Sequence, residues 1–295
     1  MLSIARRLAA LLAAFVLACP GALADSRMVT LGYVDLSFYE VTAKVVQNVL
    51  ERLGYNVALK SGSHAEIYPL LGQGEVDLLV AVWLPNAHAA YWEKYKENAV
   101  LVTTLFDDAR LFWAVPDYVP VTEVGSVADL NHPAVAARMQ KRILGTKPDS
   151  GLMAGSQKIM QAYALAQAGY ELVPGTSAER VAGLEESIAA QRWFVMPLSQ
   201  PNYLNRVAKM RVLAEPRQLL GGADSAYLAA HKDFQAKIDK RTWRVLQRMS
   251  LSIKAVTEMD YLVNVKKLAP DYAARNWMAA HPDTVNYWVQ PDSDE

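Results

Sequence analysis

The feature of this sequence that most constrains its fold is a repeated alternation of strand-like and helix-like segments. Residues 28–34 form a strand-like run, and apolar side chains then recur at helical spacing over residues 38–53. Residues 76–82 form an almost uninterrupted apolar run, which is typical of a strand covered on both faces. Strands that alternate with helices in this way indicate an α/β unit with a parallel sheet.

The same alternation continues beyond residue 115 and predicts a second α/β unit. Over residues 225–290 the sequence shows helical periodicity only, so we expect a helical C-terminal tail that packs back on one of the two units. The predicted division is lobe 1 over 25–115 and 211–295, and lobe 2 over 116–210. Ligands of such sheets bind beyond the carboxyl ends of the strands, which predicts a site in the interlobe cleft.

Two local predictions concern a helix start and the histidines. Ser37 and Glu40 have the spacing of a capping box, in which both side chains bond early helix amides. Apart from His88, the histidines are scattered along the chain, and we expect their side chains to be solvated. They are His64, His132, His231 and His281.

The first 24 residues have the composition of a secretory signal peptide. Arg6 and Arg7 precede an apolar stretch over 8–18, which is shorter than the roughly 20 residues that span a bilayer. Ala22-Leu23-Ala24 has small residues at the spacing of a cleavage site. We therefore predict that residues 1–24 are removed and that the mature protein is exported to the periplasm.

The chain has one cysteine, Cys19, which lies inside this predicted signal. A single cysteine excludes both a disulfide framework and a cysteine-based zinc site. Residues 16–19 loosely resemble a lipoprotein box, in which Cys19 would be lipidated and would anchor the protein. Leu17 and Pro20 fit that pattern poorly, whereas Ala24 completes a well-formed cleavage site, so we predict a mature chain without cysteine.

Charge and motif content narrow the function classes. The chain has 30 Lys and Arg against 30 Asp and Glu, and loss of residues 1–24 removes two arginines, which leaves a net charge of −2. A nucleic-acid binder should carry a basic excess, so no nucleic-acid partner is expected. The sequence has no GxxxxGK[ST], GxGxxG, HExxH or GxSxG motif. We therefore predict no catalysis, no cofactor and no metal site.

The layout of the predicted elements and several short motifs resemble a known family. The main motifs are Gly-Tyr-Val-Asp-Leu-Ser-Phe over 32–38, Trp-Leu-Pro-Asn-Ala-His over 83–88 and Pro-Leu-Ser-Gln-Pro-Asn-Tyr-Leu over 197–204. Over roughly 28–290 the chain is similar to the glycine betaine/choline/carnitine substrate-binding proteins of ABC importers. The resemblance implies a two-lobed periplasmic binding protein fold (type II-like). Such a protein closes on a quaternary-ammonium osmolyte and delivers it to a membrane permease driven by an ATPase; we expect a monomer.

Aromatic side chains at strand ends are the candidate contacts for such a ligand. A quaternary ammonium has no N–H group and is bound by electron-rich ring faces within about 6 Å. Trp83 follows the run over 76–82, and its ring either walls the cleft or belongs to the core. Phe38 contacts ligand or staples a helix start, and Trp113 walls the cleft or packs the hinge. Tyr203 lies in the loop that matches the family's second-lobe cage.

Polar side chains near these rings are candidate partners for a ligand carboxylate. His88 could donate to it, or it could be a surface residue on the first turn of a helix. Ser150 and Gly151 could hold the anion through their amides or could simply cap a helix. The family usually has a tryptophan in place of Ser199, and many members have a histidine in place of Asn202. These two residues could bond an N–H-bearing or hydroxylated ligand, so the ligand stays open.

Two alternative functions stay open beside an importer subunit. A ligand sensor presented to a membrane receptor would share every feature described above, and a gene neighbourhood without permease and ATPase genes would favour it. An exported hydrolase with a Ser-His-Asp set assembled in space would turn over ester or amide substrates. A binding protein shows saturable affinity and no product.

Overall fold

The computed structural model describes residues 27–291, so the predicted signal peptide and Cys19 lie outside the described residues. The strands are β1 Met28–Val34, β2 Asn56–Gly62, β3 Leu78–Leu84, β4 Ala99–Pro116, β5 Arg142–Leu144, β6 Glu171–Val173, β7 Met196–Gln200, β8 Met210–Val212 and β9 Asp224–His231. The α-helices are α1 Ser37–Arg52, α2 His64–Gln73, α3 Ala89–Tyr95, α4 Pro133–Ala136, α5 Gly151–Ala162, α6 Ser177–Ala189, α7 Leu204–Val207, α8 Lys240–Arg248, α9 Ile253–Asn264, α10 Pro270–Ala280 and α11 Pro282–Val289.

The larger sheet has the strand order β2-β1-β3-β9-β4-β7, with β8 paired to β4. Strand β1 runs parallel to both β2 and β3, as the alternation of strands and helices predicts. Six of the seven residues of β3 are buried, which fits a strand covered on both faces. The carboxyl ends of β1 and β3 therefore open at the same edge, where the predicted site residues follow them.

The prediction of a purely helical tail is wrong, because β9 lies within it. Strand β9 inserts between β3 and β4 and pairs antiparallel with both. Its sequence contains Ala226, Ala229 and Ala230, which by themselves favour a helix. Hydrogen bonding on both sides makes β9 a central strand, and this tertiary environment overrides the local preference.

Strand β4 is one continuous element of 18 residues, and its two halves pair with different strands. Its first half, from Ala99 to Ala109, pairs with β9, and its second half, from Arg110 to Ala114, pairs with β7. The register shifts three times along the pairing with β9, and Asp108 adopts a φ of 65°. These irregularities bend the strand and let it run from one half of the molecule into the other.

Buried apolar side chains form one large cluster and two smaller ones. The large cluster surrounds β1, β3 and β9, and the C-terminal helices contribute Trp277 and Trp288 to it. The two smaller clusters surround the second half of β4, β7 and β5, and they include Val115 and Leu198. We call the part around the large cluster the first lobe and the other part the second lobe.

The start of α1 differs from the predicted capping box. The residue that precedes the helix is Leu36, and Ser37 is the first helical residue. The Ser37 hydroxyl instead donates a 2.5 Å hydrogen bond to Oδ1 of Asp260, which lies in α9. The hydroxyl thus donates to a buried carboxylate far along the chain and does not accept from an amide of its own helix. Within residues 27–291, no helix combines the length and the apolar character needed to cross a membrane.

Candidate ligand-binding site

A cavity of about 110 Å³ lies between the two lobes. A buried water needs about 10–15 Å³ by the same measure, so the cavity has room for a small organic molecule. From the first lobe it is lined by the ends of β1 and β3 and the start of α1. From the second lobe it is lined by the loop before α5, by α6 and by the segment from β7 to α7. Eight of the predicted site residues line it: Phe38, Trp83, His88, Ser150, Gly151, Ser199, Asn202 and Tyr203.

The first-lobe wall of the cavity is a compact group of three rings. The centroid of Phe38 lies 4.4 Å from that of Tyr39 and 6.0 Å from that of Trp83, and the Tyr39 and Trp83 centroids are 5.9 Å apart. Trp83 is 1% exposed and belongs to the first-lobe core as well as to the cavity wall. The structure therefore shows core packing of Trp83 beside the cavity, and its contact with ligand stays a prediction. Tyr39 was not among the predicted contacts.

Trp113 does not line the cavity. It is buried in the second-lobe core, and its indole N–H donates a 2.8 Å hydrogen bond to the Ser156 hydroxyl. The predicted alternatives were a wall of the cleft and packing of the hinge, and the structure instead places Trp113 within the second-lobe core. The ring lies on β4 beyond the point where this strand leaves β9, so it faces the interior of the second lobe instead of the cleft.

His88 is a buried residue and not a surface one, with 2% of its area exposed. Its Nδ1 accepts from the backbone N–H of Trp83 at 3.0 Å and faces the Tyr68 hydroxyl at 2.7 Å. Its Nε2 lies 3.3 Å from the Tyr39 hydroxyl and 3.1 Å from Nε2 of His64. Burial lowers the pKa of His88 well below its usual value, with a further contribution from His64. The neutral ring thus fixes the strand end that carries Trp83.

His64 is the second member of this buried cluster, which corrects the expectation that it is solvated. It is 5% exposed, lines the cavity and stacks on Tyr91 with 5.8 Å between centroids. Burial lowers its pKa to about 4, although the charge of Asp149 acts in the opposite direction. No local pattern identifies this residue, because its partners lie in other elements.

Ser150 and Gly151 bring the second lobe against the first. The Ser150 hydroxyl accepts from the Met153 N–H at 3.1 Å, so it caps α5 in the ordinary way. A Cβ atom on Gly151 would lie 2.3 Å from the carbonyl oxygen of Ala87 in the first lobe. Because that contact is with backbone, no larger residue fits at position 151 while the lobes are this close.

Further contacts cross the cleft beside Gly151. The carboxylate of Asp149 accepts from the Ala65 N–H at 2.9 Å, so a second-lobe residue caps the first turn of α2. The Tyr91 hydroxyl donates to the carbonyl oxygen of Asp149 at 2.9 Å. Lys147 lies 3.5 Å from the carboxylate of Asp35. Burial tends to raise the pKa of Asp149, but hydrogen bonds from Ala65 and Ser63 lower it overall.

The second-lobe loop is held by a buried carboxylate that the sequence did not reveal. Oδ2 of Asp260 accepts from the Tyr203 N–H at 2.7 Å, while Oδ1 accepts from Ser37 and from the Asn264 amide at 2.8 Å. Burial raises the pKa of Asp260 to about 6, although its hydrogen bonds lower it in part. Asp260 lies 223 residues from Ser37 and 57 residues from Tyr203 in the chain, and it joins the start of α1 to the loop of Tyr203.

The remaining cavity residues include a buried cation. Asn202 uses its side-chain oxygen to accept from the Leu204 N–H at 2.9 Å, which leaves its amide group for other partners. Ser199 lies on β7 and is 9% exposed. Arg180 on α6 is also 9% exposed and lines the cavity. Sequence analysis missed Arg180, because a helix sequence does not show which polar side chain faces a cleft.

Comparisons with known proteins agree with this geometry. Residues 27–280 match the family model described as the substrate binding domain of the ABC-type glycine betaine transport system. A relative from Listeria monocytogenes, the glycine betaine/carnitine transport binding protein GbuC, is 26% identical over 106 residues. That match covers 36% of this chain and 35% of the relative, about a third of its length.

Solved structures share the fold. Lactococcal OpuAC, closed and complexed with glycine betaine, has a TM-score of 0.80 at 24% identity and covers 90% of this chain and 100% of its own. ProX from Borrelia burgdorferi, a glycine betaine, L-proline binding protein, has a TM-score of 0.81 at 23% identity, with coverage of 90% and 97%. A choline binding protein in complex with choline has a TM-score of 0.78 at 18% identity, with coverage of 90% and 92%.

These likenesses confirm the two-lobed binding-protein fold with a cleft between the lobes. The family match extends over most of the chain and includes every element that lines the cavity. The chain therefore belongs to the family of substrate-binding domains of ABC-type glycine betaine transport systems.

Proposed function

We propose that this protein is the extracytoplasmic solute-binding component of an ABC importer for a quaternary-ammonium osmolyte of the glycine betaine type. The observation that carries the proposal is the group of Phe38, Tyr39 and Trp83 at the wall of the interlobe cavity. Ring faces attract a quaternary ammonium through their electron density, and the attraction is strongest where water is excluded. The family match and the neighbours that hold glycine betaine or choline support the same ligand chemistry.

Each cavity residue has a proposed role in this reading. Phe38 and Trp83 face the ammonium from the first lobe, and Tyr203 faces it from the second. Ser199 and Asn202 add polar contacts, and the amides at Ser150 and Gly151 lie at the start of α5. His88 has partners on both ring nitrogens, so its proposed role is to hold Trp83 and Tyr39 in place.

The proposed setting of the protein follows from the family. Family members act outside the cytoplasm, where they deliver ligand to a membrane permease that an ATPase drives. We place this chain in the periplasm after loss of its signal peptide. We propose a monomer that binds no nucleic acid and catalyses no reaction. The equal numbers of basic and acidic residues support the absence of nucleic-acid binding, because a nucleic-acid surface needs a basic excess.

We also propose a division into lobes that refines the one expected from sequence. The expected crossings lie at 115–116 and 210–213. The pairing of Arg110 with Gln200 and the burial of Leu213 and Leu220 in the second-lobe core support crossings at about 107–110 and 221–223. Strand β9 begins directly after the second of these segments.

Isothermal titration with glycine betaine tests the proposed function. We expect saturable binding to the wild type, and no product by NMR when the wild type is incubated with ester or amide substrates, which an exported hydrolase would turn over. Trp83→Ala should weaken binding at least tenfold, since it removes one ring of the cage. Trp243→Ala is the matched control, because Trp243 packs on the edge of the same core outside the cavity. Unchanged betaine affinity in Trp83→Ala would contradict the cage.

A further inference from the structure

Arg180 is a buried cation whose hydrogen bonding is incomplete. It lies on α6 with 9% of its area exposed, and it lines the cavity together with Ser177, Ser199 and Tyr203. One terminal nitrogen donates to the carbonyl oxygen of Pro197. Its Nε is buried and has no hydrogen-bond partner among residues 27–291. Such a group is costly in a folded protein unless a ligand completes its shell.

No counter-ion for Arg180 comes from the surrounding protein. Within the described part of the chain no carboxylate pairs with it, and the titratable group that favours its charge is the Tyr203 phenol. Arg180 also borders a hollow on the other side of α6. Glu186 is the acidic residue among the described residues that line this hollow, and it pairs with Arg192 at 2.7 Å.

The other charged groups at the cavity are already matched. Lys147 pairs with Asp35 at 3.5 Å across the mouth of the cleft. Asp260 is not among the residues that line the cavity, and both of its carboxylate oxygens accept hydrogen bonds from protein donors. Burial keeps His64 neutral at pH 7, with its pKa lowered to about 4. The unmatched charge that faces the cavity is therefore positive and belongs to Arg180.

Most of the groups that the sequence offered for a ligand carboxylate have protein partners. His88 has partners on both ring nitrogens, and the Ser150 N–H donates to the Lys147 carbonyl oxygen, so the Gly151 N–H is the offered donor that stays beside Arg180 in the cavity lining. A guanidinium presents parallel N–H groups that suit an oxyanion, and Nε is one of the two that form such a pair. The ring wall of Phe38, Tyr39 and Trp83 offers an ammonium site on the first-lobe side of the same cavity.

We propose that Arg180 is the residue that binds the anionic group of the ligand, so that the site selects a zwitterion with a carboxylate or similar oxyanion over a monocation with the same ammonium group. This inference rests on the proposed function and adds to it the ligand class and the residue that sets it. A monocation would leave the buried guanidinium without a partner and would add a second positive charge to the cavity.

Glycine betaine and choline form a matched pair of probes, because both carry a trimethylammonium group but only glycine betaine has a carboxylate. Titration of the wild type should give at least tenfold tighter binding of glycine betaine. Arg180→Met should bind glycine betaine at least tenfold more weakly and should bind choline as tightly as the wild type or more tightly. The preference for glycine betaine over choline should therefore be lost. Arg180→Lys keeps the charge and should retain part of the preference. Arg192→Met, which alters an arginine outside the cavity, should change neither affinity.

The outcomes separate this inference from the function on which it rests. An equal loss for both ligands in Arg180→Met, or no loss for either, overturns the assignment of Arg180 while the importer function stands. If Arg180→Met fails to fold, Arg180→Lys decides the question through the ratio of the two affinities. A wild type that binds neither ligand overturns the proposed function and this inference with it.

Discussion

His64 and His88 meet with 3.1 Å between their Nε2 atoms, although they lie 24 residues apart in the chain. Because Nδ1 of His88 accepts the Trp83 N–H, the hydrogen-bond network puts the His88 proton on Nε2. Nε2 of His64 must then accept, and its own proton lies on Nδ1. Protonation of His64 would place a donor against a donor in a buried site, beside the rings of the proposed ligand cage.

This arrangement predicts loss of stability in acid. The pKa of His64 is about 4 in the folded protein and about 6.5 in the unfolded chain, so the unfolded state binds more protons between these values. The His64 contribution is fully present above pH 6.5 and is lost as the pH falls towards 4, by about 3 kcal/mol at most. Denaturant unfolding of wild type and His64→Gln across this range should show the difference, because Gln retains an acceptor and cannot be protonated.

The comparison needs a control because Asp260 titrates in the same range with the opposite sign. Its pKa of about 6 lies above the unfolded value, so protonation of Asp260 favours the folded state. The readout is therefore the difference between variant and wild type. His132→Gln, at an exposed position, should show the same pH dependence of the free energy of unfolding as the wild type. A His64→Gln profile that keeps the full acid loss would contradict a protonation-sensitive His64.

Asp260 should control both stability and affinity. In Asp260→Asn, one of the two oxygens becomes an NH2 group that faces the N–H of Tyr203 or the donors of Ser37 and Asn264. We expect a loss of about 1–3 kcal/mol in the free energy of unfolding and weaker ligand binding, because Tyr203 lines the cavity. Asp117→Asn, at an exposed turn, serves as control in calorimetry and titration. Wild-type affinity in Asp260→Asn would show that the loop needs no such anchor.

Gly151 should be required for closure of the lobes. A Cβ there would lie 2.3 Å from the Ala87 carbonyl oxygen, which cannot move aside like a side chain. We expect small-angle scattering to show contraction of the wild type with saturating glycine betaine, and little or no contraction with at least tenfold weaker binding in Gly151→Ala. Gly183→Ala, in α6 and outside the cavity lining, is the matched control, since its added Cβ would meet only the end of the Leu144 side chain, at 3.1 Å. An unchanged radius of gyration in the wild type would contradict closure.

Ser199 should limit the affinity for glycine betaine. It lines the cavity together with Tyr203, at a position where the resemblance to the family leads us to expect a tryptophan, and it offers a small hydroxyl instead. We expect weaker betaine binding than in typical members, and a gain of up to about 1–2 kcal/mol in Ser199→Trp from the added ring face. Ser199→Leu adds volume without such a ring and should give no gain. Tight wild-type binding that Ser199→Trp abolishes would mean that another ring completes the cage.

The local elements of this fold were predictable from the sequence because their causes are local. The spacing of apolar residues predicted α1 and β3 almost to their ends, since periodicity reflects which face of an element is buried. Trp83 and Phe38 were predicted at the site because parallel strands open at one edge of a sheet. The lipidation state and the signal peptide were also predicted locally, but they lie outside the described residues.

The features that failed or were missed depend on partners far along the chain. Strand β9 was not predicted, because only its neighbours β3 and β4 make it a strand. The Ser37 hydroxyl bonds Asp260 and does not cap α1 as predicted, and Trp113 packs in the second-lobe core. Arg180 and His64 became cavity residues only through the approach of the two lobes. Sequence periodicity records which side of an element is apolar, whereas the strand order and the packing of the lobes decide which polar groups meet in the cleft.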